Sequence, residues 1–259
     1  MPPLTAILIA QNEEKLLPQA LASLDGIADE IVLVDSGSTD RTREIAQQFG
    51  ARVFAKPFVG FSEQKNFAAS RAAHNWVFSV DCDEALSPEL RQSLLQWKQT
   101  EPELAGYEIC RLTQYLGKWI RHSGWYPDYI VRLYRRDRAR FTGALHENVR
   151  LDGPSGRLVG HLYHFTAAST SEQTEKIDFF TNLAAQDLFE RGKKHWRFQA
   201  VLLPPWTFFQ SFVLRLGMLD GYRGWIIAWM AARYSFLKFC KLGQLVRVGS
   251  PQKNQTAQD

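Results

Sequence analysis

The first ninety residues of the chain alternate short apolar runs with segments in which apolar residues recur every three or four positions. Four apolar runs have the length and composition of buried strands, at residues 4–10, 31–34, 52–55 and 77–80. The segments between them predict helices that end near residue 24, span residues 41–49, and span residues 62–73. Strands separated by helices of this kind form a parallel sheet with right-handed crossovers. The sequence therefore predicts an α/β fold.

The pattern changes after about residue 105, where strands are short and the loops are rich in Tyr, Trp and Arg. Strand candidates lie at residues 107–112, 129–134 and 158–165, and we expect this part of the sheet to be partly antiparallel. Residues 170–191 have apolar positions at helical spacing among polar ones, which predicts an amphipathic helix.

Residues 198–248 form a region in which aromatic residues are frequent. The pair Pro204-Pro205 is expected to break any helix there, because proline removes a backbone donor and clashes with the preceding turn. Two apolar, aromatic helices interrupted by arginines are predicted after it, at residues 206–219 and 225–239. Basic residues beside Trp and Phe are typical of helices in a membrane interface. The alternative is a helical pair that packs on the preceding domain or forms a dimer contact.

Charge is unevenly distributed along the 259 residues, although the formal net charge is only +4. Residues 191–259 contain eleven Lys and Arg residues against two aspartates, a net charge of +9, which leaves −5 for the first 190 residues. The hydrophobic content of 45% is that of a globular protein with a substantial core. The basic C-terminal region is expected to face an anionic surface, and we expect no nucleic-acid partner.

Cysteine usage and the N-terminal residues indicate a cytosolic setting. Cys82, Cys110 and Cys240 lie far apart, which favours reduced thiols over disulfides or a zinc site. Met1 is followed almost at once by a strand pattern, so no signal peptide is expected. A run of about twenty apolar residues, which a spanning helix needs, is missing from the sequence.

Three acids follow the apolar run at residues 77–80, namely Asp81, Asp83 and Glu84. Ligands of open α/β sheets bind at the carboxyl ends of the strands, which is where these acids emerge. Neighbouring carboxylates repel each other unless a positive charge lies between them. A divalent cation that holds a phosphate would supply that charge, whereas the simpler interpretation is a polar turn.

Polar residues also follow the first two strands. Asn12 and Glu13 come after the first strand, and Asp35 comes after the second. An ionised aspartate accepts hydrogen bonds from a ribose or a base edge, although Asp35 could equally cap a turn. The sequence contains neither a glycine-rich dinucleotide loop nor a Walker loop. Phosphate binding would therefore depend on a metal and on basic side chains such as Lys65.

These segments together resemble the family 2 glycosyltransferases of the GT-A fold. The resemblance covers roughly residues 4–245 and rests on the motifs Ala10-Gln11-Asn12-Glu13, Val34–Asp40, Gln64-Lys65-Asn66 and Asp81-Cys82-Asp83. Further motifs resemble the bacterial lipopolysaccharide-core β-1,4-glucosyltransferase type, at residues 124–128, 132–136, 146–149 and 219–224.

The resemblance implies a fold and a division of the chain. It implies a Rossmann-like, mostly parallel GT-A sheet in a catalytic domain at residues 1–195. A C-terminal amphipathic helical region that associates with a membrane or packs on the domain would follow at residues 196–249. Residues 250–259 are predicted to form a disordered tail.

The resemblance also implies roles at the donor end of the site. Residues at the two strand ends would hold the uridine of a UDP-sugar, namely Ala10, Asn12, Glu13 and Asp35. Lys65 and Asn66 would lie near the nucleotide and its phosphates. Asp83 would bind Mg²⁺ or Mn²⁺, with Asp81 nearer the ribose or donor sugar or serving as a second metal residue.

A histidine in the segment at residues 158–165 is expected to complete the metal site. His164 matches the position at which several enzymes of this fold recruit a further metal ligand. His161 is its rival, and a histidine beside aromatic residues is often simply part of the core.

An inverting transfer needs a general base for the acceptor hydroxyl. The resemblance places it at Glu147, with His146 as the second candidate or as the residue that orients the glutamate. The alternative for this pair is a surface loop without a catalytic role. The Gln-x-x-Arg-Trp motif of processive synthases is absent from the sequence, which favours the addition of a single sugar.

Asp128, Arg132 and Arg135 lie between the acidic motif and the predicted base. Guanidinium groups suit phosphate and carboxylate, so these residues could contact a phosphorylated or acidic acceptor. Equally, they could be charges at a strand edge.

The sequence thus predicts metal-dependent, inverting transfer of a hexose, with glucose as the expected sugar, from a UDP-sugar to a lipid-linked saccharide such as lipopolysaccharide core. The enzyme is expected at the cytoplasmic face of the inner membrane. A polyprenyl-linked or other glycan is the alternative acceptor. A haloacid-dehalogenase-type phosphatase and a non-catalytic sugar-nucleotide-binding protein are the alternatives of a different class. The phosphatase motif usually has Thr or Val where Ala85 stands.

Overall fold

The computed structural model of the chain describes residues 1–143, 148–166 and 170–249. Contacts divide these residues into two units. The first contains the described residues of 1–114 and 126–166, and the second contains residues 115–125 and 170–249. The segment at residues 170–190 therefore groups with the C-terminal helices, whereas the sequence analysis placed it in the catalytic domain.

The strands occur where the apolar runs predict them, with additional short ones between residues 84 and 151. They are β1 (Leu4–Ala10), β2 (Glu30–Asp35), β3 (Arg52–Ala55), β4 (Trp76–Ser79), β5 (Glu84–Leu86), β6 (Gly106–Tyr115), β7 (Lys118–Trp119), β8 (Asp128–Arg135), β9 (Ala139–Thr142), β10 (Asn148–Leu151) and β11 (Ser155–Phe165). The helices of the first unit are α1 (Leu17–Ser23), α2 (Thr42–Gln48), α3 (Phe61–Arg71) and α4 (Pro88–Trp97).

The main sheet of the first unit has the strand order β3–β2–β1–β4–β8–β6–β11–β5. Strands β3, β2, β1 and β4 are parallel, and β11 is parallel to β6. Strand β8 is antiparallel to both β4 and β6, and β5 is antiparallel to β11. The structure thus confirms an α/β fold with a mostly parallel sheet and an antiparallel contribution from the later strands.

Apolar residues cover both faces of the parallel strands, which explains why these strands lack polar alternation. On one face, Leu8 and Phe78 pack in a cluster with residues of α1 and α4, such as Leu21 and Leu90. On the other face, β-strand residues such as Ile7 pack with alanines of α3. The packed helices leave the carboxyl ends of β1, β2 and β4 as the edge at which polar side chains gather.

The second unit contains the C-terminal helices. They are α5 (Thr170–Glu190), α6 (Arg197–Phe209) and α7 (Tyr222–Gly249), with a π-helical turn at Gln210–Leu214 and a 3₁₀ turn at Gly217–Asp220 between the last two. Among the described residues, no helix has both the length and the apolarity needed to cross a bilayer.

The prediction that Pro204-Pro205 breaks the helix is wrong, and the helix predicted at residues 206–219 is confirmed only in part: residues 206–214 are helical, but they continue α6 and its π-helical turn. Helix α6 continues through both prolines and ends at Phe209. An interior proline costs a helix about 3 kcal/mol, and packing offsets this cost. Ala200 and Leu203 lie in an apolar cluster with Phe239 and Leu242 of α7.

Candidate active site

The three acids after β4 form a tight turn that is closed by hydrogen bonds from both ends. The backbone N–H of Glu84 donates to the carbonyl of Asp81 at 3.0 Å. In return, the backbone N–H of Asp81 donates to the Glu84 carboxylate at 3.0 Å. These two hydrogen bonds fix the conformation of the turn, which includes Asp83.

Asp81 has each of its carboxylate oxygens against a buried cation. Lys65 Nζ lies 2.8 Å from one oxygen, and Arg132 Nη2 lies 2.6 Å from the other. Lys65 and Arg132 are only 2% and 5% exposed. Burial raises the pKa of Asp81, but the charges of Arg132 and Lys65 outweigh it and hold that pKa well below its usual range. Asp81 is therefore ionised and held by protein cations.

Glu84 shares Arg132 with Asp81, and the sequence analysis did not assign it a role. The same Nη2 atom of Arg132 lies 2.6 Å from Glu84 Oε1, and the glutamate side chain is inaccessible to solvent. Burial raises the pKa of Glu84, and the charge of Arg132 opposes that rise. The signal that could have identified Glu84 is its place as a third acid at the end of a buried strand.

Asp83 faces a histidine instead of a lysine or an arginine. His164 Nε2 lies 3.3 Å from Asp83 Oδ2, and both side chains are partly exposed. The other ring nitrogen of His164 lies 3.1 Å from the hydroxyl of Thr113 on β6. The backbone carbonyl of Asp83 accepts a hydrogen bond from Phe165 at 2.8 Å. Strand β11 thus supports the acidic turn and brings His164 to it.

The rival histidine lies elsewhere on β11. His161 Nε2 is 3.3 Å from the hydroxyl of Tyr126. The structure therefore brings His164, and not His161, to Asp83.

Asp83 and His164 can supply two of the ligands of a divalent cation. A carboxylate oxygen and an imidazole nitrogen are ligands that Mn²⁺ accepts. Within residues 1–143, 148–166 and 170–249, no group of three or more His, Cys, Asp or Glu residues could hold a metal ion. The two side chains therefore fit a cation that takes its remaining ligands from a phosphorylated substrate.

The ends of β1 and β2 are tied together beside this edge. Ala10 pairs with Asp35 across the two strands. The side-chain oxygen of Asn12 accepts the Thr39 N–H at 2.8 Å, and the Asn12 N–H donates to the Ser38 hydroxyl at 2.9 Å. Asn12 has a φ of 57°, a left-handed conformation that asparagine tolerates better than most residues.

The other two predicted donor residues, Asp35 and Glu13, also make contacts at the ends of β1 and β2. Asp35 is buried and accepts the backbone N–H groups of Gly37 and Ser38 at 3.2 Å, which is the geometry of a turn cap. The N–H of Glu13 donates to the Thr42 hydroxyl at 2.8 Å. Glu13 therefore lies at the start of the same polar edge.

Asn66 connects α3 to β9 instead of pointing into open space. Its side-chain amide donates to the carbonyl of Phe141 and accepts the Phe141 N–H, both at 2.9 Å. Strand β9 leads into residues 144–147, so Asn66 anchors the chain just before the predicted base. Glu147 and His146 lie outside the described residues.

The predicted acceptor residues do not lie together. Arg132 is buried between Asp81 and Glu84. Asp128 is bonded at 2.7 Å to Arg111, a partly exposed arginine of β6 that the sequence analysis did not single out. Arg135 pairs with Asp137, and it lies opposite Trp76, the first residue of β4, at the far end of that strand from the acids.

Cys82 lies inside the acidic motif but is not a nucleophile. Its Sγ is 3.2 Å from the carbonyl of Ile9, and the side chain is buried. Burial and the neighbouring carboxylates raise the pKa of this thiol well above its usual value. Cys82 therefore fills space between β1 and the turn.

Comparison with known proteins agrees with this geometry. Residues 5–152 match the family model described as Glycosyl transferase family 2. The chain is 32% identical to the lipopolysaccharide core biosynthesis glycosyltransferase LpsC of Rhizobium meliloti, over 93% of this chain and 92% of that protein. It is 29% identical to an uncharacterized glycosyltransferase of Rickettsia typhi, over 100% of this chain and 92% of that protein.

A solved structure shares the fold. It is glucosyl-3-phosphoglycerate synthase from Mycobacterium tuberculosis in complex with Mn²⁺, UDP and glucosyl-3-phosphoglycerate. The two are 18% identical, with a TM-score of 0.50, over 75% of this chain and 81% of that one. The family model, the relatives and the GT-A sheet with its acidic turn after β4 together show that this chain belongs to glycosyltransferase family 2.

Proposed function

We propose that the protein transfers a hexose, with glucose as the expected sugar, from a UDP-sugar to a lipid-linked saccharide such as lipopolysaccharide core, with inversion at the anomeric carbon. The pairing of Asp83 with His164 at the donor edge of the sheet carries this proposal. The similarity to LpsC over nearly the whole chain supports a saccharide of the lipopolysaccharide core as the acceptor. A polyprenyl-linked or other glycan is the alternative acceptor, and membership of the family argues against a phosphatase or a non-catalytic protein.

Each residue of the site has a proposed task. The uridine would be held at the ends of β1 and β2, by Ala10, Asn12, Glu13 and Asp35. Asp83 and His164 would hold Mg²⁺ or Mn²⁺, which, when bound, neutralises the charge that develops on the leaving UDP. Lys65 and Asn66 would lie beside the nucleotide.

Residues near the acceptor would complete the transfer. Glu147 would take the proton from the attacking hydroxyl, with His146 orienting it. Arg111 Nη1 is 4.0 Å from Glu84 Oε1, so Arg111 and its partner Asp128 lie beside the acidic turn, where they would contact the acceptor. We place Arg111 in the acceptor role that the sequence suggested for Arg132 and Arg135.

A screen of donors tests the proposed substrate. UDP-glucose with Mn²⁺ should raise the melting temperature of the protein, because a ligand that binds only the folded state stabilises it by mass action. ADP-glucose and UDP-glucose with EDTA serve as matched controls and should raise it less. Equal shifts with UDP-glucose and ADP-glucose would contradict recognition of uridine.

We also propose that the second unit binds an anionic membrane surface. Apolar side chains at helical spacing along α6 are exposed, and Phe198 and Val201 are exposed by 77% and 69%. On α7, the rings of Trp225 and Trp229 are half-exposed and stack at 6.0 Å. We call this set the aromatic surface; its members are Phe198, Val201, Leu202, Trp206, Phe209, Tyr222, Trp225, Trp229 and Phe236.

The charges beside the aromatic surface favour lipid headgroups. Arg197, Arg215 and Arg233 are exposed, whereas Asp220 is the one acid between residues 191 and 249 and is buried. Exposed apolar patches mark interaction sites, and arginine beside Trp and Phe suits the interface of an anionic bilayer. Such a surface would place the enzyme at the cytoplasmic face of the inner membrane, near a lipid-linked acceptor.

Replacing both stacked tryptophans tests the membrane proposal. We expect Trp225→Ser with Trp229→Ser to weaken binding to phosphatidylglycerol vesicles at least tenfold, because large apolar side chains contribute about 1.5–3 kcal/mol each when buried. Vesicle flotation or co-sedimentation measures the effect. Phe58→Ser, at another exposed aromatic residue, is the matched control. Unchanged vesicle binding of the double variant would contradict the proposal.

A further inference from the structure

Arg132 is a buried cation held between two carboxylates of the acidic turn. Its Nη2 atom lies 2.6 Å from both Asp81 Oδ2 and Glu84 Oε1. Its Nε atom is buried and has no hydrogen-bond partner among the residues that the structure describes. The two carboxylates therefore set the position of this guanidinium group, and the group in turn sets theirs.

Glu84 extends this contact to the backbone of the turn. One of its oxygens accepts from Arg132, and the other accepts the N–H of Asp81. Asp83 lies between Asp81 and Glu84 in the turn and faces His164. A shift of the Glu84 side chain would therefore change the turn that holds Asp83 opposite His164.

The cluster around Arg132 joins two buried cations to two acids, and Arg111 Nη1 lies 4.0 Å from one of these acids, Glu84. Lys65 and Arg132 are the cations, and Asp81 and Glu84 are the anions. Loss of one partner from such a set leaves an uncompensated buried charge, which is much more costly than the loss of a surface ion pair. Each member therefore depends on the others for its position.

The cluster also determines which acid faces a ligand. The two aspartate side chains are similarly exposed, at 28% and 31%, but both oxygens of Asp81 accept from protein cations, whereas Asp83 faces His164. We infer that Arg132 and Glu84 are positioning residues, which lock the acidic turn and keep Asp81 paired with protein cations so that Asp83 and His164 face the cation. This inference rests on the proposed function, and it gives Arg132 a role inside the site instead of at the acceptor.

The test measures UDP affinity by calorimetry, once with Mn²⁺ and once with EDTA, for the full chain. We expect Arg132→Lys and Glu84→Gln to reduce the gain in UDP affinity that Mn²⁺ confers by about 10–100-fold, as for other groups that orient metal ligands. Affinity for UDP in EDTA should stay close to that of the unmodified protein. Arg132→Lys keeps the positive charge, but the lysine side chain is shorter, so its ammonium group does not reach the position from which Nη2 contacts both carboxylates.

Matched controls come from the exposed Arg157 and the partly exposed Glu108, which are joined at 2.9 Å. Arg157→Lys and Glu108→Gln make the same chemical changes on the surface and should leave the Mn²⁺-dependent gain unchanged. The double variant Arg132→Lys with Glu84→Gln should lose no more than either single variant, because residues that act as one unit are not additive. Thermal melting verifies that each variant is folded.

Three results would overturn the inference. If Mn²⁺ still raised UDP affinity by the same factor in both single variants, the acidic turn would not need Arg132 and Glu84. An equal loss of UDP affinity with and without Mn²⁺ would place the two residues in nucleotide binding instead. If Mn²⁺ did not raise the UDP affinity of the unmodified protein, both this inference and the proposed metal site would fail. Failure of the inference alone would instead appear only in the variants.

Discussion

Replacing Asp83 by asparagine is expected to reduce hexose transfer by about 10²–10³-fold, because the metal contributes several kcal/mol and each 1.36 kcal/mol corresponds to a factor of ten in rate. The asparagine side chain would keep the size of the aspartate and lose the charge that attracts the cation. Asp83 is partly exposed and its partner is His164, so the substitution leaves no buried charge without a partner. The measurement is UDP formation from UDP-glucose with acceptor and Mn²⁺.

The control for this substitution is Asp25→Asn, at an exposed aspartate just after α1. It should transfer hexose at the rate of the unmodified protein. Both variants should melt at nearly the same temperature. If Asp83→Asn kept full transfer activity at every Mn²⁺ concentration, Asp83 could not be the principal metal residue.

Replacing Glu147 by glutamine is the second substitution with a large expected effect. Transfer should fall by about 10²–10⁴-fold, which is the usual contribution of a positioned general base. UDP-glucose affinity should change little, because a base acts on the acceptor hydroxyl and not on the donor. Single-turnover transfer and calorimetric donor binding measure the two quantities separately.

Two further variants sharpen the assignment of the base. Glu101→Gln changes an exposed glutamate between α4 and β6 and should leave transfer unchanged. His146→Gln should reduce transfer less than Glu147→Gln if His146 orients the glutamate. A larger loss in His146→Gln than in Glu147→Gln would exchange the two roles, and full activity of both would move the base elsewhere.

The parallel part of the fold could be predicted because strands that are buried on both faces consist of uninterrupted apolar residues. The runs at residues 4–10 and 77–80 are apolar without alternation, and they form adjacent central strands. Helix α6 could not be predicted in the same way. Proline propensity argues for a break at Pro204-Pro205, whereas packing of Ala200 and Leu203 with α7 decides the outcome.

The candidate site was predictable in its residue types and less so in its partners. The spacing of Asp81 and Asp83 indicates an acidic turn, but it does not reveal which acid is neutralised by protein cations. That depends on Arg132, which lies 51 residues from Asp81 in sequence and reaches it through the β4–β8 pairing. The sequence marks Glu84 as a third acid at the end of a buried strand, but its contacts with Arg132 and with the Asp81 N–H depend on the folded turn.

Sheet register distinguishes the two candidate histidines of β11. His161 and His164 are both candidates from sequence. The pairing of β11 with β6 and β5 sets His164 opposite Thr113 and Glu84, and so beside Asp83. Sheet register, which depends on contacts between distant segments, makes the distinction.

Mass spectrometry of a lipopolysaccharide-core acceptor incubated with UDP-glucose and Mn²⁺ tests the central claim most directly. The account predicts that the acceptor gains the mass of one hexose residue, that one UDP forms for each, and that EDTA or Asp83→Asn prevents both changes. Consumption of UDP-glucose to free glucose or phosphate, with the acceptor mass unchanged, would contradict the account.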